Sequence, residues 1–276
     1  MQLTAIHRKN IVKGYCLVFY LLMLYKIWNG FLLVQLKPSI FNTRFDVFTW
    51  VLMNTGIHQW LLNNEMGWIL FDVAFYALPL GYWVVHQRSV RFASWIAIIM
   101  LPVNWIYISC YTLYPANSIE SFIPWLLFPF LLMTTSLQSF YYVLNGLRYF
   151  FLFFFVSAGI WKIVQGAVIN SEQMTGVLLF QHKELLTGSV NWSAQFIDWL
   201  LHHPLVGYCL YLFATFMELI FIVGYFTKKY DRYLIGAFLL FLIADVVVMR
   251  IPYWEVTPFL LTLIYSKLKL NDGLIK

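Results

Sequence analysis

The sequence predicts an all-α integral membrane protein, a polytopic helical bundle of about eight transmembrane helices with interfacial helices on the outer side. Hydrophobic residues make up 62% of the 276 residues and charged residues only 11%, whereas soluble domains carry about 25% charged residues. Apolar runs long enough to cross a hydrocarbon core about 30 Å thick recur along the chain. No repeat or flexible linker interrupts them, so we predict a single domain over residues 1–276.

Eight apolar runs, separated by polar connections, give the predicted spans. They cover residues 11–36, 67–85, 92–113, 122–137, 147–165, 205–226, 233–250 and 252–265. Outside them, residues 47–62 and the connection 166–204 mix aromatic with polar residues, which is typical of interfacial helices. In that connection, Trp192, Phe196, Trp199 and Leu200 share one helical face.

Basic residues indicate the orientation of these spans. One side of the arrangement collects Arg8, Lys9, Lys13, Arg88, Arg91, Arg148, Lys228, Lys229, Arg232, Lys267, Lys269 and Lys276. The opposite side has only Lys37, Arg44, Lys183 and Arg250. By the positive-inside rule, both termini are predicted to be cytoplasmic. Because the basic residues lie at the ends of apolar runs and form no stripe, the expected partner is the lipid bilayer and not a nucleic acid.

The run LRYFFLFFFVSAGIWKIVQ, residues 147–165, places a lysine inside a predicted span. Lys162 lies about 21 Å along the helix axis from Arg148, within the hydrocarbon core and toward its far side. A lysine at this depth is costly, and such residues usually face the protein interior and mark function. Lys162 is therefore the first candidate site residue.

Further ionisable residues lie inside the predicted spans, namely Lys26, Asp72, Glu218 and Asp245. Opposite signs at similar depth predict that Lys162 pairs with Glu218 or with Asp245. Such a pair can simply fix helix packing. Alternatively, Lys162 is a catalytic base or an anion-binding group with Glu218 as its catalytic neighbour, although a carboxylate in contact would oppose a neutral base. The candidate ligand-binding residues are Lys26, Asp72, Asp245 and Trp161.

Histidines gather in connections on the predicted outer side. They are His58, His182, His202 and His203, with Glu184 and Asp198 close in sequence. A metal site could be assembled from these side chains, but no HExxH or comparable spacing is present. We therefore predict no metal, and hydrogen bonding at the interface for these histidines.

A family resemblance begins at the same lysine. YFFLFFFVSAGIWKIVQG, followed by Met174-Thr175-Gly176-Val177, resembles the HTTM domain, the membrane domain shared by vitamin K-dependent gamma-carboxylase and bacterial multipass proteins, including a membrane subunit for toxin maturation. Ala158, Gly159, Trp161 and Lys162 are similar to an Ala-Gly-x-Lys-Lys helix end of the carboxylases. Glu218 in FATFMELIFIVGYF is similar to a glutamate that precedes a basic loop, as TKKYDR does here. The resemblance extends from about the third to the eighth predicted helix.

The resemblance implies an HTTM-like fold, a location in the bacterial inner membrane, and Lys162 as the counterpart of the lysine thought to deprotonate vitamin K hydroquinone. A quinone-like lipophilic cofactor is thus implied. The carboxylases have an Asn-His step where this chain has Asn117-Ser118, and a tryptophan after the lysine is replaced by AVINSEQM. Their large luminal domain is missing from this sequence, so gamma-carboxylation of a protein is not expected.

Two hypotheses of different classes follow. In the first, an outward-facing intramembrane cavity lined by Lys162 and Glu218 binds a lipophilic or quinone-like molecule. The protein then acts as a redox-coupled enzyme or in the modification or maturation of an exported protein. In the second, the chain is a non-catalytic subunit of a larger membrane export or assembly complex, and its aromatic faces contact other membrane or exported proteins. The sequence leaves open whether the chain is an enzyme.

Overall fold

The computed structural model describes residues 2–35, 47–112, 119–188, 191–251 and 253–270. Nearly all of these residues are helical, and within these ranges the strand-type pairing is an isolated bridge between Gln2 and Lys269. The prediction of an all-α fold is thereby confirmed. The α-helices are α1 (Ala5–Asn29), α2 (Val47–Thr55), α3 (Ile57–Leu62), α4 (Glu65–Arg88), α5 (Val90–Tyr111), α6 (Ile119–Leu132), α7 (Leu137–Val164), α8 (Gln173–Gln181), α9 (Lys183–Gly188), α10 (Trp192–His202), α11 (Pro204–Leu219), α12 (Val223–Phe226), α13 (Asp231–Ala244) and α14 (Leu260–Ile264).

Residue contacts divide the chain into two compact units. The first comprises Met1–Leu147 with Trp254–Lys276, and the second comprises Arg148–Tyr253. Helix α7 contributes residues to both units. This division concerns contacts within the chain and does not test the prediction of a single domain.

Helices α4 and α5 pack along each other in the first unit. Ser89 alone separates them, and its Oγ accepts a hydrogen bond from the N–H of Phe92, so it caps α5 where α4 ends. The rings of Phe75 on α4 and Tyr107 on α5 stack with their centroids 3.8 Å apart. A slip of one helix along the other would separate these two rings, so the stacked pair helps to fix the register of α4 and α5.

The guanidinium of Arg8, one of the basic residues used to predict the orientation, is buried in the first turn of α1. It donates hydrogen bonds to the backbone carbonyls of Thr134 and Thr135. These carbonyls follow α6, so they have no helical partner beyond them. The arginine therefore serves as a side-chain cap, and the side of the membrane on which it lies stays a prediction.

The phenylalanine run of α7 divides between core and surface in the second unit. Phe151 and Phe155 are buried, whereas Phe153 is exposed. Phe155 stacks on Phe221 at 4.6 Å between ring centroids, and Phe151 meets Phe238 edge-on at 5.2 Å. Helical periodicity turns residues 151 and 155 to the same inner face.

Arg148 forms the most deeply buried ion pair of the second unit among the described residues. Its Nη2 and Nε donate to the two carboxylate oxygens of Asp231 at 2.6 and 2.8 Å, and Nη2 also donates to the carbonyl of Gly224 at 2.9 Å. The side chains of Arg148 and Asp231 are 1% and 2% exposed. Arg148 was predicted to begin its helix, but α7 starts at Leu137, so the arginine lies within it.

Helix α10 buries Ser193, Ala194, Ile197 and Leu200. Of these, Ala194, Ile197 and Leu200 pack in a cluster with Met174, Leu178 and Leu185. Trp192 and Trp199, on the face predicted to be aromatic, remain exposed. The location of that face at the membrane interface stays a prediction.

Six helical stretches are long and apolar enough to cross a membrane, judged by length and composition over the described residues. They are Ala5–Gln35, Glu65–Arg88, Val90–Tyr111, Leu137–Val164, Pro204–Phe226 and Asp231–Met249. Two predicted spans correspond to shorter apolar helices, Ser121–Leu132 and Trp254–Ile264. Each of these is about 20 Å long or less, so the count of eight stays a prediction.

Candidate functional site

Lys162 forms an ion pair near the end of α7. Its Nζ lies 2.7 Å from Oε1 of Glu218, which α11 carries close to its own C-terminal end. The glutamate side chain is only 5% exposed, whereas the lysine side chain is 27% exposed. The sequence left open whether Glu218 or Asp245 is the partner, and the structure gives Glu218.

A glycine one turn before the lysine allows this pairing. A Cβ atom on Gly159 would lie 2.9 Å from Cγ and Cδ2 of Leu219 and 3.3 Å from Cβ of Glu218. Such distances are shorter than van der Waals contact, so α7 and α11 can approach this closely only because residue 159 has no side chain. Gly159 therefore allows α7 and α11 to come close enough for Lys162 to contact Glu218.

Lys162 and Asp245 line the same pocket of the second unit, which has a volume of about 310 Å³. Most of its wall is aliphatic, aromatic or methionine, with Lys162, Asp245, Gln173 and Tyr211 as the polar members. The apolar lining residues are Met174, Val177, Leu210, Phe213, Ala214, Met217, Leu240, Phe241, Ala244, Val248 and Met249. An apolar pocket with few converging polar groups is the usual form of a small-molecule site.

Asp245 lies where α13 changes to a π-helix, Asp245–Met249. The segment ends at Arg250, whose φ of 56° is in the left-handed region. Two side chains from the end of α8 hold the segment: Nε2 of the buried His182 lies 2.8 Å from the carbonyl of Val248, and Gln181 donates to the carbonyl of Met249 at 3.2 Å. Single π-turns occur often at functional sites, and this one borders the pocket.

Two carboxylates at the pocket have oxygens without a hydrogen-bond partner among the described residues. Oε2 of Glu218 is buried with no hydrogen-bond partner. The carboxylate of Asp245 has no ion-pair partner within 4 Å and accepts no hydrogen bond in the described part of the chain. Because Lys162 is already engaged by Glu218, the arrangement can bind a group that donates hydrogen bonds or carries positive charge.

Two other predicted ligand-binding residues belong to the first unit. Lys26 Nζ lies 2.7 Å from Oε1 of Glu255 and donates to the hydroxyl of Tyr111 at 3.2 Å. Asp72 accepts hydrogen bonds from the hydroxyl of Tyr107 at 2.8 Å and from the N–H of Val34 at 3.1 Å. Both residues are buried and fully engaged in these contacts. They are not among the residues that line the pocket at Lys162.

Trp161, the remaining candidate, is 61% exposed and also lies outside the pocket lining. Adjacent residues of a helix point in directions about 100° apart, so Lys162 can face the pocket while Trp161 faces outward. Sequence reasoning missed Glu255 and Asp231, the acidic partners of Lys26 and Arg148. Both residues lie near the start of an apolar run, and an acidic residue in that position could have indicated a partner for a buried cation.

Three of the histidines named from the sequence make hydrogen-bond contacts with backbone carbonyls. Nδ1 of His202 lies 2.8 Å from the carbonyl of Asp198, and Nδ1 of His203 lies 2.8 Å from the carbonyl of Trp199. His182 contacts the π-helix as described. Over the described residues, no three acidic, cysteine or histidine side chains gather in the manner of a metal site.

The apolar helices define an integral membrane protein. Comparisons of the chain with protein-family models, with curated proteins and with solved structures gave no significant match.

Glu218 is more deeply buried than Lys162, so loss of one partner should cost more than loss of the other. Lys162→Met leaves the carboxylate of Glu218 buried without a cation and is expected to lower the free energy of unfolding by about 2–3 kcal/mol. Glu218→Gln keeps an acceptor for a lysine that the pocket partly hydrates, so we expect a loss of about 1 kcal/mol. Unfolding in one detergent measures both. Equal losses, or no recovery in the Lys162→Met/Glu218→Gln double variant, would contradict this account.

Proposed function

We propose that this integral membrane protein binds a lipophilic molecule in the pocket at Lys162. The observation that supports this most is a pocket with an apolar wall and with Lys162 and Asp245 at its lining. The apolar wall suits a ligand that enters from the bilayer, and the ionisable groups give its polar end a fixed position. Because Glu218 engages Lys162 at 2.7 Å, the lysine in this proposal is a fixed member of an ion pair and not a free base.

The resemblance to the HTTM domain extends the proposal. It favours a quinone-like ligand, a pocket that opens to the outer side of the bacterial inner membrane, both termini in the cytoplasm, and a role in the modification or maturation of an exported protein. Lys162 and Glu218 would then be the residues nearest to any chemistry. These parts rest on the short motifs around Gly159, Lys162 and Glu218 and on the distribution of basic residues.

The rival function is a non-catalytic subunit of a membrane export or assembly complex. Its support is the Lys162–Glu218 contact itself, because a buried ion pair can specify helix packing without catalysis. Exposed aromatic residues such as Trp28, Trp161 and Phe180 would provide contact surfaces for other membrane proteins.

Mass spectrometry of the gently purified protein tests the two functions together. We expect one lipophilic molecule per chain to co-purify with the unmodified protein, and to be lost from Ala214→Trp, because the indole would occupy the pocket that Ala214 lines. Asp198→Asn is the matched control, since Asp198 is exposed on α10 and does not line the pocket.

Equal retention of the molecule by Ala214→Trp would overturn the pocket proposal. A stoichiometric protein partner without a bound small molecule would instead favour the subunit. Circular dichroism and gel filtration of Ala214→Trp show whether the variant is folded, so that loss of the ligand is not mistaken for loss of the fold.

A further inference from the structure

The charges at the pocket at Lys162 do not balance. Three ionisable side chains come together there: Lys162 and Asp245 in its lining, and Glu218 in contact with Lys162. The lysine and the glutamate compensate each other at 2.7 Å. Among the described residues no cation lies within 4 Å of the Asp245 carboxylate, and an ion without a close partner in the hydrocarbon core is costly. A positive charge supplied by a ligand would remove this cost.

Aromatic rings line the same pocket as the Asp245 carboxylate. Phe241 precedes Asp245 by one helical turn, and Tyr211 lines the same pocket from α11. The Tyr211 ring already has a cation over it, since Lys162 Nζ lies 5.5 Å from its centroid. Carboxylates combined with aromatic faces are the usual means by which proteins bind ammonium groups.

The other polar heads that a lipophilic ligand could carry fit less well. A carboxylate head would be repelled by Asp245, and the ammonium of Lys162 already pairs with Glu218. A head with acceptors only would leave the carboxylate of Asp245 without a donor. An ammonium head has donors for a carboxylate and a charge that balances it.

The backbone that carries Asp245 is held in an unusual conformation. The π-helix Asp245–Met249, the left-handed Arg250 and the contact from the buried His182 to Val248 all lie within a few residues of the carboxylate. A left-handed residue other than glycine and a π-turn are both unfavourable, and they persist where surrounding contacts impose them. The position of Asp245 is therefore determined by its support from α8.

We propose that the ligand of this pocket is a lipophilic amine, bound as its ammonium form. The ammonium pairs with the carboxylate of Asp245 between the rings of Phe241 and Tyr211, and the hydrocarbon part lies against the methionine and aliphatic side chains of the wall. This inference rests on the proposed binding function and specifies the chemical class of the ligand.

Calorimetric titration of the full chain in lipid nanodiscs tests the inference with three probes that share one hydrocarbon chain: decylamine, decanol and decanoate. Empty nanodiscs measure partition into lipid. We expect saturable binding of decylamine at one site per chain, weakened about 10- to 100-fold by Asp245→Asn because the charged hydrogen bond is lost. Asp198→Asn should leave binding unchanged, and Ala214→Trp should abolish it.

The outcomes separate the inference from the proposed function. Decanol binding that Ala214→Trp abolishes, together with decylamine binding that Asp245→Asn leaves unchanged, would retain the pocket and overturn the ammonium head. Decanoate binding tighter than decylamine would overturn it as well. No saturable binding of any probe to the unmodified protein would count against both.

Discussion

An Arg148→Met variant is expected to lose about 3–5 kcal/mol of the free energy of unfolding, the largest effect that we predict for a single substitution in this chain. Arg148 satisfies both carboxylate oxygens of Asp231 and the carbonyl of Gly224. The methionine would leave all three acceptors buried without this donor, because the site is closed to water. Breaking a buried pair from one side costs far more than replacing both partners.

Chemical unfolding of the protein in bicelles, followed by circular dichroism, measures this effect. Arg148→Met/Asp231→Asn should recover at least half of the loss, since the buried charge is then gone. Arg232→Met is the control, because Arg232 is exposed and its hydrogen bond to the hydroxyl of Tyr233 is exposed as well. A loss below 1 kcal/mol for Arg148→Met would show that this ion pair does not hold the second unit together.

Lys26→Met is expected to have the second largest effect, again about 3 kcal/mol or more. The ammonium of Lys26 pairs with Glu255 at 2.7 Å, and it also lies 4.4 and 4.8 Å from the ring centroids of Tyr111 and Phe122. Both members of the ion pair are only 9% exposed. Removal of the lysine leaves the buried carboxylate of Glu255 without its cation, and Oε2 of Glu255 has no hydrogen-bond partner among the described residues.

The apparent melting temperature in one detergent, together with unfolding in bicelles, measures the loss. Lys13→Met on the same helix is the matched control, because Lys13 is exposed. In Lys26→Met/Glu255→Gln the buried charge is absent, so the melting temperature should rise toward that of the unmodified protein. A double variant that is less stable than Lys26→Met would contradict the assignment of the cost to the unpaired carboxylate.

Hydropathy predicted the apolar helices and the interior position of Lys26, Asp72, Lys162, Glu218 and Asp245, because a charge in an apolar run is visible in one sequence. It limited the partner of Lys162 to Glu218 or Asp245, but it did not predict the partner of Lys26. Lys26 pairs with a residue more than two hundred positions later, and pairing at that distance depends on how helices meet in three dimensions.

Helix boundaries were predicted less well than helix positions. Helix α7 starts at Leu137, so residues 138–145, which lie between two predicted spans, belong to it. No proline interrupts this stretch, and the single Gly146 costs only about 1 kcal/mol in a helix. The π-helix at Asp245 could not be predicted, since Val246, Val247 and Val248 are equally compatible with an ordinary helical turn.

The apolar part of α6, Ser121–Leu132, is short, and whether it crosses the membrane affects the direction of every later helix. Crossings alternate in direction, so the direction of α7 depends on whether the number of crossings before it is even or odd. With α6 as a crossing, the Lys162 end of α7 faces the side opposite to the N-terminus, and without it the direction is reversed. If α6 and the helix Trp254–Ile264 both cross, or if neither does, the number of crossings is even and the two termini share a side. Helix α6 therefore decides which compartment the pocket faces, although none of its residues lines it.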